Sequence, residues 1–182
     1  HSPRLAQVRC QWDGLRLALT HPDQDALIAD PTTEEERIAR WAGGLASETQ
    51  PGPWRFVRAP GAMTDVPERW VSIGNLATLR ALSQRMGTTL DPARFRANLW
   101  LDGLAPAEER EWVGREIAVG PVRLRVTEEI GRCRATEADP ATGAYDAAVP
   151  RALPQAEGEA CFAVYAEVVG GGRVAVGDTV SA

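Results

Sequence analysis

The chain has 182 residues, of which 44% are hydrophobic and 25% charged, and its formal net charge is -5 at neutral pH. That length and balance suit one globular domain, or one with a small companion, large enough to bury a core. The acidic balance argues against nucleic acid or an anionic membrane surface as a partner, and no apolar run reaches the ~18 residues of a membrane-spanning helix.

All 20 basic residues are arginine, the pattern of a GC-rich bacterial genome. With no lysine in the chain, Schiff-base chemistry through a lysine is excluded, including covalent attachment of pyridoxal phosphate. Cys10, Cys133 and Cys161 are an odd number with no close pair, which points to a reducing cytosol rather than a disulfide framework. With only His1 and His21 and no C-x-x-C, the sequence argues against a structural zinc site or a histidine general base. No signal peptide is visible. The chain opens without Met inside an expected strand, so it reads as a piece of a longer protein. The implied partner is the missing N-terminal fragment or longer parent chain.

In chain order, Leu5 to Trp12 and Leu15 to Leu19 flank Asp13-Gly14, the signal for a tight hairpin. Thr33 and Glu36 form a capping-box pattern ahead of a helix carrying Ile38, Trp41, Ala42 and Leu45 on one stripe. A short strand is expected at Trp54 to Arg58, then a connecting loop over 59–70. Asn75 caps a helix that places Leu76, Leu79, Leu82 and Met86 inward and stops at Gly87. Phe95 to Asp102 reads as a strand, and Pro106 opens a short acidic helix through Trp112. Val122, Leu124 and Val126 alternate with Arg123 and Arg125, marking a half-exposed strand. Asp139 to Gly143 has the composition of a turn. Phe162 to Val169 and Arg173 to Val180 are expected strands around Gly170-Gly171-Gly172. Many strands with few short helices suggest a barrel or a strongly bent sheet.

Two places carry chemical signals. On a strand, Arg96 and Asn98 share one face and offer two donors to one ligand, with arginine suited to phosphate; solvated strand residues would look the same. Cys133 stands between Arg132 and Arg134. A free cysteine is most often an inert packing residue, but electropositive neighbours are also the setting of a nucleophilic or metal-binding thiolate. Ile73-Gly74-Asn75 at a helix start is a possible anion site, although caps usually work without a ligand.

Taken together, four blocks resemble the MOSC domain, named after the C-terminal domain of molybdenum cofactor sulfurase. They are Ser72-Ile73-Gly74-Asn75-Leu76-Ala77-Thr78-Leu79; Arg94 through Gly103 with Glu108 and Trp112; Gly131-Arg132-Cys133-Arg134-Ala135-Thr136 with Asp139-Pro140-Ala141-Thr142-Gly143; and Phe162 to Ala166. The resemblance implies a mainly β (α+β) fold, a MOSC-type β-barrel with short helices over 61–182. Residues 1–60 would be the remnant of an N-terminal α/β subdomain.

The resemblance also implies molybdenum cofactor as ligand, with Cys133 as the catalytic thiolate ligand to the metal. Ile73, Gly74, Asn75, Arg96, Asn98, Gly131, Arg132 and Tyr165 would line the cofactor pocket. In the amidoxime-reducing group the chemistry is two-electron reduction of N-hydroxylated compounds, with electrons from a separate redox protein. A metal-free sulfur carrier holding a persulfide on Cys133, a cofactor-delivery module, and a degenerate domain kept as an assembly surface are the rivals. The sequence departs from the family in two ways. The family's first strands have no counterpart, and Gly158-Glu159 stands where Gly-His is usual, with Cys161 where many relatives carry an acid.

Overall fold

The computed structural model describes residues 2–50, 52–59, 66–156 and 158–182. The chain divides into two compact units, residues 1–61 with 137–147, and residues 62–136 with 148–182. The segment 137–147 therefore groups with the N-terminal residues.

The first unit is a three-stranded antiparallel meander, β1 (Arg9–Trp12), β2 (Leu17–His21) and β3 (Gln24–Ala29), with helix α1 (Glu35–Gly43). Leu19, Leu27 and Ala29 from the sheet meet Ile38 of α1 in its core. The expected hairpin exists, but its first strand starts late, because Pro3–Gln7 coil into a 3₁₀ turn. Asp13 ties the connection, its Oδ1 accepting from the main-chain N–H of Leu15 and Arg16. β3 was not expected, because Ala26-Leu27-Ile28-Ala29 is a short apolar run without the alternation that marks a half-buried strand. The capping box does not form. Asp30 instead accepts from Thr32 at both its main-chain N–H and its hydroxyl, while the Glu34 carboxylate accepts from Asp30 N–H. Residues 54–58 are irregular rather than a strand, with Trp54 and Val57 exposed and no ladder to join. The turn at 139–143 is present, with Gly143 N–H donating to the Asp139 carbonyl.

The second unit is a seven-stranded barrel-like sheet with short helices. Its elements in order are β4 (Val71–Asn75), α2 (Leu76–Met86), β5 (Leu99–Leu101), β6 (Glu116–Val119), β7 (Val122–Gly131), α3 (Val149–Ala152), β8 (Gln155–Ala156), β9 (Glu159–Gly170) and β10 (Val180–Ser181). The strand order is β10-β6-β7-β9-β4-β5, with β8 beside β9. Among the described residues only β4 and β5 pair in parallel, because α2 carries the chain back between them. Ile73, Leu101, Trp112, Leu124, Val126, Val164 and Ala166 fill the core. β7 keeps the expected alternation, with Val122, Leu124 and Val126 buried and Arg125 outward on Glu116 at 2.7 Å.

Three expectations need correction here. Residues 95–102 are not one strand. Pro92–Phe95 form a 3₁₀ turn, Arg96 takes a left-handed φ of 53°, and pairing begins only at Leu99. Pro92 behind an Asp91 side-chain cap starts that turn, a stronger local signal than alternation. The strand at 173–180 shrinks to β10, because the Asp178 carboxylate accepts from Ala175 N–H and closes a turn through Gly177. Phe162, Ala163 and Val164 are buried in succession where alternation would expose one, since Ala163 has a φ of 72° and the β7–β9 register shifts nearby.

Candidate functional site

The sequence-named residues lie in the second unit, and the barrel distributes them between two corners. The first corner is the C-terminal end of β4. Ile73 and Gly74 are inside the sheet, opposite Leu99 and Trp100 of β5. A Cβ on Gly74 would stand 2.7 Å from the Trp100 ring, so only glycine lets the indole lie there. Asn75 has no exposed surface. Its Oδ1 caps α2 by accepting from Ala77 N–H at 2.8 Å, and its Nδ2 donates to the Ala105 carbonyl and to Glu109 Oε2.

Glu109, also fully buried, accepts in addition from the Thr78 hydroxyl, which itself accepts from Ala107 N–H. The network fastens the β4–α2 junction to the 3₁₀ turn Glu108–Trp112. It leaves the Asn75 side chain inside the protein, so an incoming ligand does not meet it. Acidic residues on so short an element ordinarily form a solvated face. Glu109 is the exception, and its burial has no sequence signal beyond its place near Trp112.

The second corner brings the two halves of the central stretch together. Arg96 and Asn98 are exposed on the turn that precedes β5. Asn98 is clasped to Ser72 of β4. Its N–H donates to the Ser72 carbonyl at 3.0 Å, and its Oδ1 accepts from Ser72 N–H and Oγ–H, both at 2.9 Å. With Oδ1 turned inward, the amide nitrogen is the group Asn98 presents outward. Ser72 was not singled out as a site residue; its signal is a serine beside Ile73 in a strand otherwise buried at that face.

Gly131 ends β7 opposite Cys161. The next residue, Arg132, donates from Nε to the Phe162 carbonyl at 2.9 Å and from Nη1 to the Phe95 carbonyl at 3.0 Å. Phe95 and Phe162 stack with centroids 4.1 Å apart, and Trp100 closes the aromatic cluster. These bonds join the main chain beside Arg96 to the main chain beside Cys133. The Cys133 thiol is exposed and its sulfur accepts from Ala135 N–H at 3.4 Å. Arg132 is directed to carbonyls and an aromatic ring, so the cationic flank expected on both sides of Cys133 is not built from two side chains facing the sulfur. Tyr165, opposite Ser72 across β4–β9, packs its ring on Trp70 at 5.6 Å.

Cys161 is the contrasting thiol. It is buried, donates to the Glu159 carbonyl, and is pushed up by burial and then by the Glu129 carboxylate. It borders a groove whose other lining includes Glu128, Glu129, Glu159 and Arg110, the last paired with Glu129 at 2.7 Å.

Among the described residues no cluster of three or more His, Cys, Asp or Glu could hold a metal ion. Molybdenum cofactor is a case in which the metal would bring ligands of its own. The donor set fits molybdenum cofactor on those terms. One accessible soft sulfur stands at a corner whose outward groups, Arg96 and the Asn98 amide nitrogen, are hydrogen-bond donors suited to phosphate and pterin acceptors. Among the described residues no helix is long and apolar enough to cross a membrane.

The MOSC domain model matches residues 60–181. The chain is similar to "Molybdenum cofactor sulfurase 2" of Culex quinquefasciatus, 25% identical over 159 residues that cover 87% of this chain and 18% of that protein. The chain thus spans about a fifth of the length of this curated relative. With the barrel-like sheet and a family match over most of its length, the chain belongs to the MOSC domain family.

Proposed function

We propose that this chain binds molybdenum cofactor, with Cys133 as the protein thiolate on the metal, and serves reduction of N-hydroxylated compounds. The observation that carries the reading is the corner itself. The exposed Cys133 follows Arg132, whose side chain bonds to the Phe95 carbonyl at the start of the turn that presents Arg96 and Asn98. When bound, the cofactor would supply two-electron redox chemistry through a metal whose oxidation states a soft thiolate stabilises.

The protein's part is binding and orientation. Arg96 and the Asn98 amide nitrogen offer donors to phosphate and pterin oxygens, and the exposed Cys133 offers sulfur. Ile73 and Gly74 support the wall from inside the sheet, Gly131 ends the strand that delivers Cys133, and Tyr165 with Trp70 forms an aromatic flank. In the overall reaction the N–O bond breaks, two electrons and two protons are taken up, and oxygen leaves as water. The electrons come from a separate redox protein.

A second reading draws on the relative's name. A sulfurase-type module would carry sulfur as a persulfide on Cys133 and need no metal. Protein from a cofactor-competent host separates the two. The main reading expects molybdenum by elemental analysis that disappears with Cys133→Ala. The second expects a Cys133 peptide about 32 Da heavier and no molybdenum.

A further inference from the structure

We propose that Arg132 is a positioning residue, which sets the place of the Cys133 turn relative to the Arg96–Asn98 turn through a grip on two backbone carbonyls. The proposal rests on the reading of Cys133 as the working thiol, and it gives Arg132 a task other than touching a ligand. Nε donates to the Phe162 carbonyl at 2.9 Å and Nη1 to the Phe95 carbonyl at 3.0 Å. Cζ stands 5.7 Å from the centre of the Phe95 ring. The main-chain N–H of Arg132 donates to the Ala160 carbonyl at 2.7 Å. One residue thus joins the end of β7, the strand β9 and the 3₁₀ turn that ends at Phe95.

The location of the grip gives it consequence. The Phe95 carbonyl belongs to the peptide leading into Arg96, whose left-handed φ of 53° is uncommon for a side-chain-bearing residue. A charged donor on that carbonyl holds the turn in the conformation that leaves Arg96 exposed. At the other end the next residue is Cys133. Both working residues therefore hang from one guanidinium by a single peptide link. Arginine suits the task because its planar fork presents donors in diverging directions while its face rests on a ring; lysine, a point charge, reaches one carbonyl at most.

The test uses the full chain carrying Cys10→Ser, with Arg132→Lys, Arg132→Gln or Arg134→Gln added. Two readouts need no cofactor, namely the alkylation rate of Cys133 by iodoacetamide and amide hydrogen exchange at residues 96–98. The expected result is that Arg132→Lys does not rescue Arg132→Gln. Both change the alkylation rate by about fivefold or more, and both speed exchange at residues 96–98 by about tenfold or more while the β7–β9 amides keep their protection. Arg134→Gln, a charge of the same sign on the other side of Cys133, leaves exchange unchanged. In protein that carries molybdenum, the sulfur-to-metal absorption shifts in Arg132→Lys, which a general loss of stability would not produce.

Wild-type alkylation and exchange in Arg132→Lys would overturn the proposal, because charge alone would then suffice. If neither Arg132 variant folds, exchange in the unsubstituted chain decides. Protection of the Asn98 amide comparable to β7–β9 supports the grip, and exchange as fast as in the irregular segment 171–175 overturns it. Because two readouts are made without cofactor, absence of molybdenum would defeat the proposed function and leave this result standing.

Discussion

At the C-terminal end of β4, Asn75 is fully buried and its side chain is bonded to Ala77, Ala105 and Glu109; at the N-terminal end, Asn98 is exposed and clasped to Ser72 through its main-chain N–H and, of its side-chain atoms, the oxygen. The same residue type thus closes one corner and opens the other. The difference lies in the partner. A buried carboxylate demands donors from every side, whereas a backbone N–H and a hydroxyl use up one amide oxygen and leave the nitrogen facing out. The contrast repeats in the thiols. Cys161 is held as a thiol inside β9, and Cys133 stands on a turn with an N–H aimed at its sulfur. A site forms where the fold leaves polar groups partly unused, not where polar residues are simply gathered.

The contrast can be broken at the closed corner first. Glu109→Ala leaves the Thr78 hydroxyl and one Asn75 donor without their acceptor inside the protein, and should cost about 3 kcal/mol in denaturant unfolding. The alkylation rate of Cys133 in the folded state should stay near wild type, and a tenfold change would show that the corners are not independent. Gly74→Ala presses a Cβ against Trp100 and should cost about 2 kcal/mol. Unchanged stability there would mean that the indole shifts freely. At the open corner, Asn98→Ala should cost only about 1 kcal/mol, yet lower molybdenum retention more than Glu109→Ala does.

The smallest expected effect concerns pH. The Cys161 thiol is raised in the folded state, so the folded chain binds its proton more tightly than the unfolded chain does. That contribution is complete below the ordinary thiol range and is lost as pH rises through the folded value. Stability should therefore fall at alkaline pH, and the fall should be shallower in Cys161→Ala. An identical pH slope in the variant would remove Cys161 from the account.

Much of the fold was legible where one local rule acted alone. The alternation in β7, the Asn75 cap and Gly87 stop of α2, and the turn at 139–143 all follow from residues within a few positions. Reading failed where a second rule competed. Pro92 with the Asp91 cap overrode the alternation of 95–102, so Arg96 and Asn98 share a turn rather than a strand face. Asp178 overrode the apolar spacing of 173–180. The candidate site was legible as a list of residues but not as an arrangement. Nothing local distinguishes a saturated Asn75 from a half-used Asn98, since Glu109 and Ser72 lie 34 and 26 residues away in sequence. The reach of Arg132 to Phe95 is likewise a contact across 37 residues.

The central claim is that Cys133 alone among the protein's side chains supplies sulfur to a cofactor-borne metal. Elemental analysis of the full chain, produced in a cofactor-competent host, tests it most directly when the wild type is compared with Cys133→Ala and Cys161→Ala. The account predicts one molybdenum per chain in the wild type and in Cys161→Ala, and none above background in Cys133→Ala. Full molybdenum content in Cys133→Ala, or its loss in Cys161→Ala alone, would contradict it.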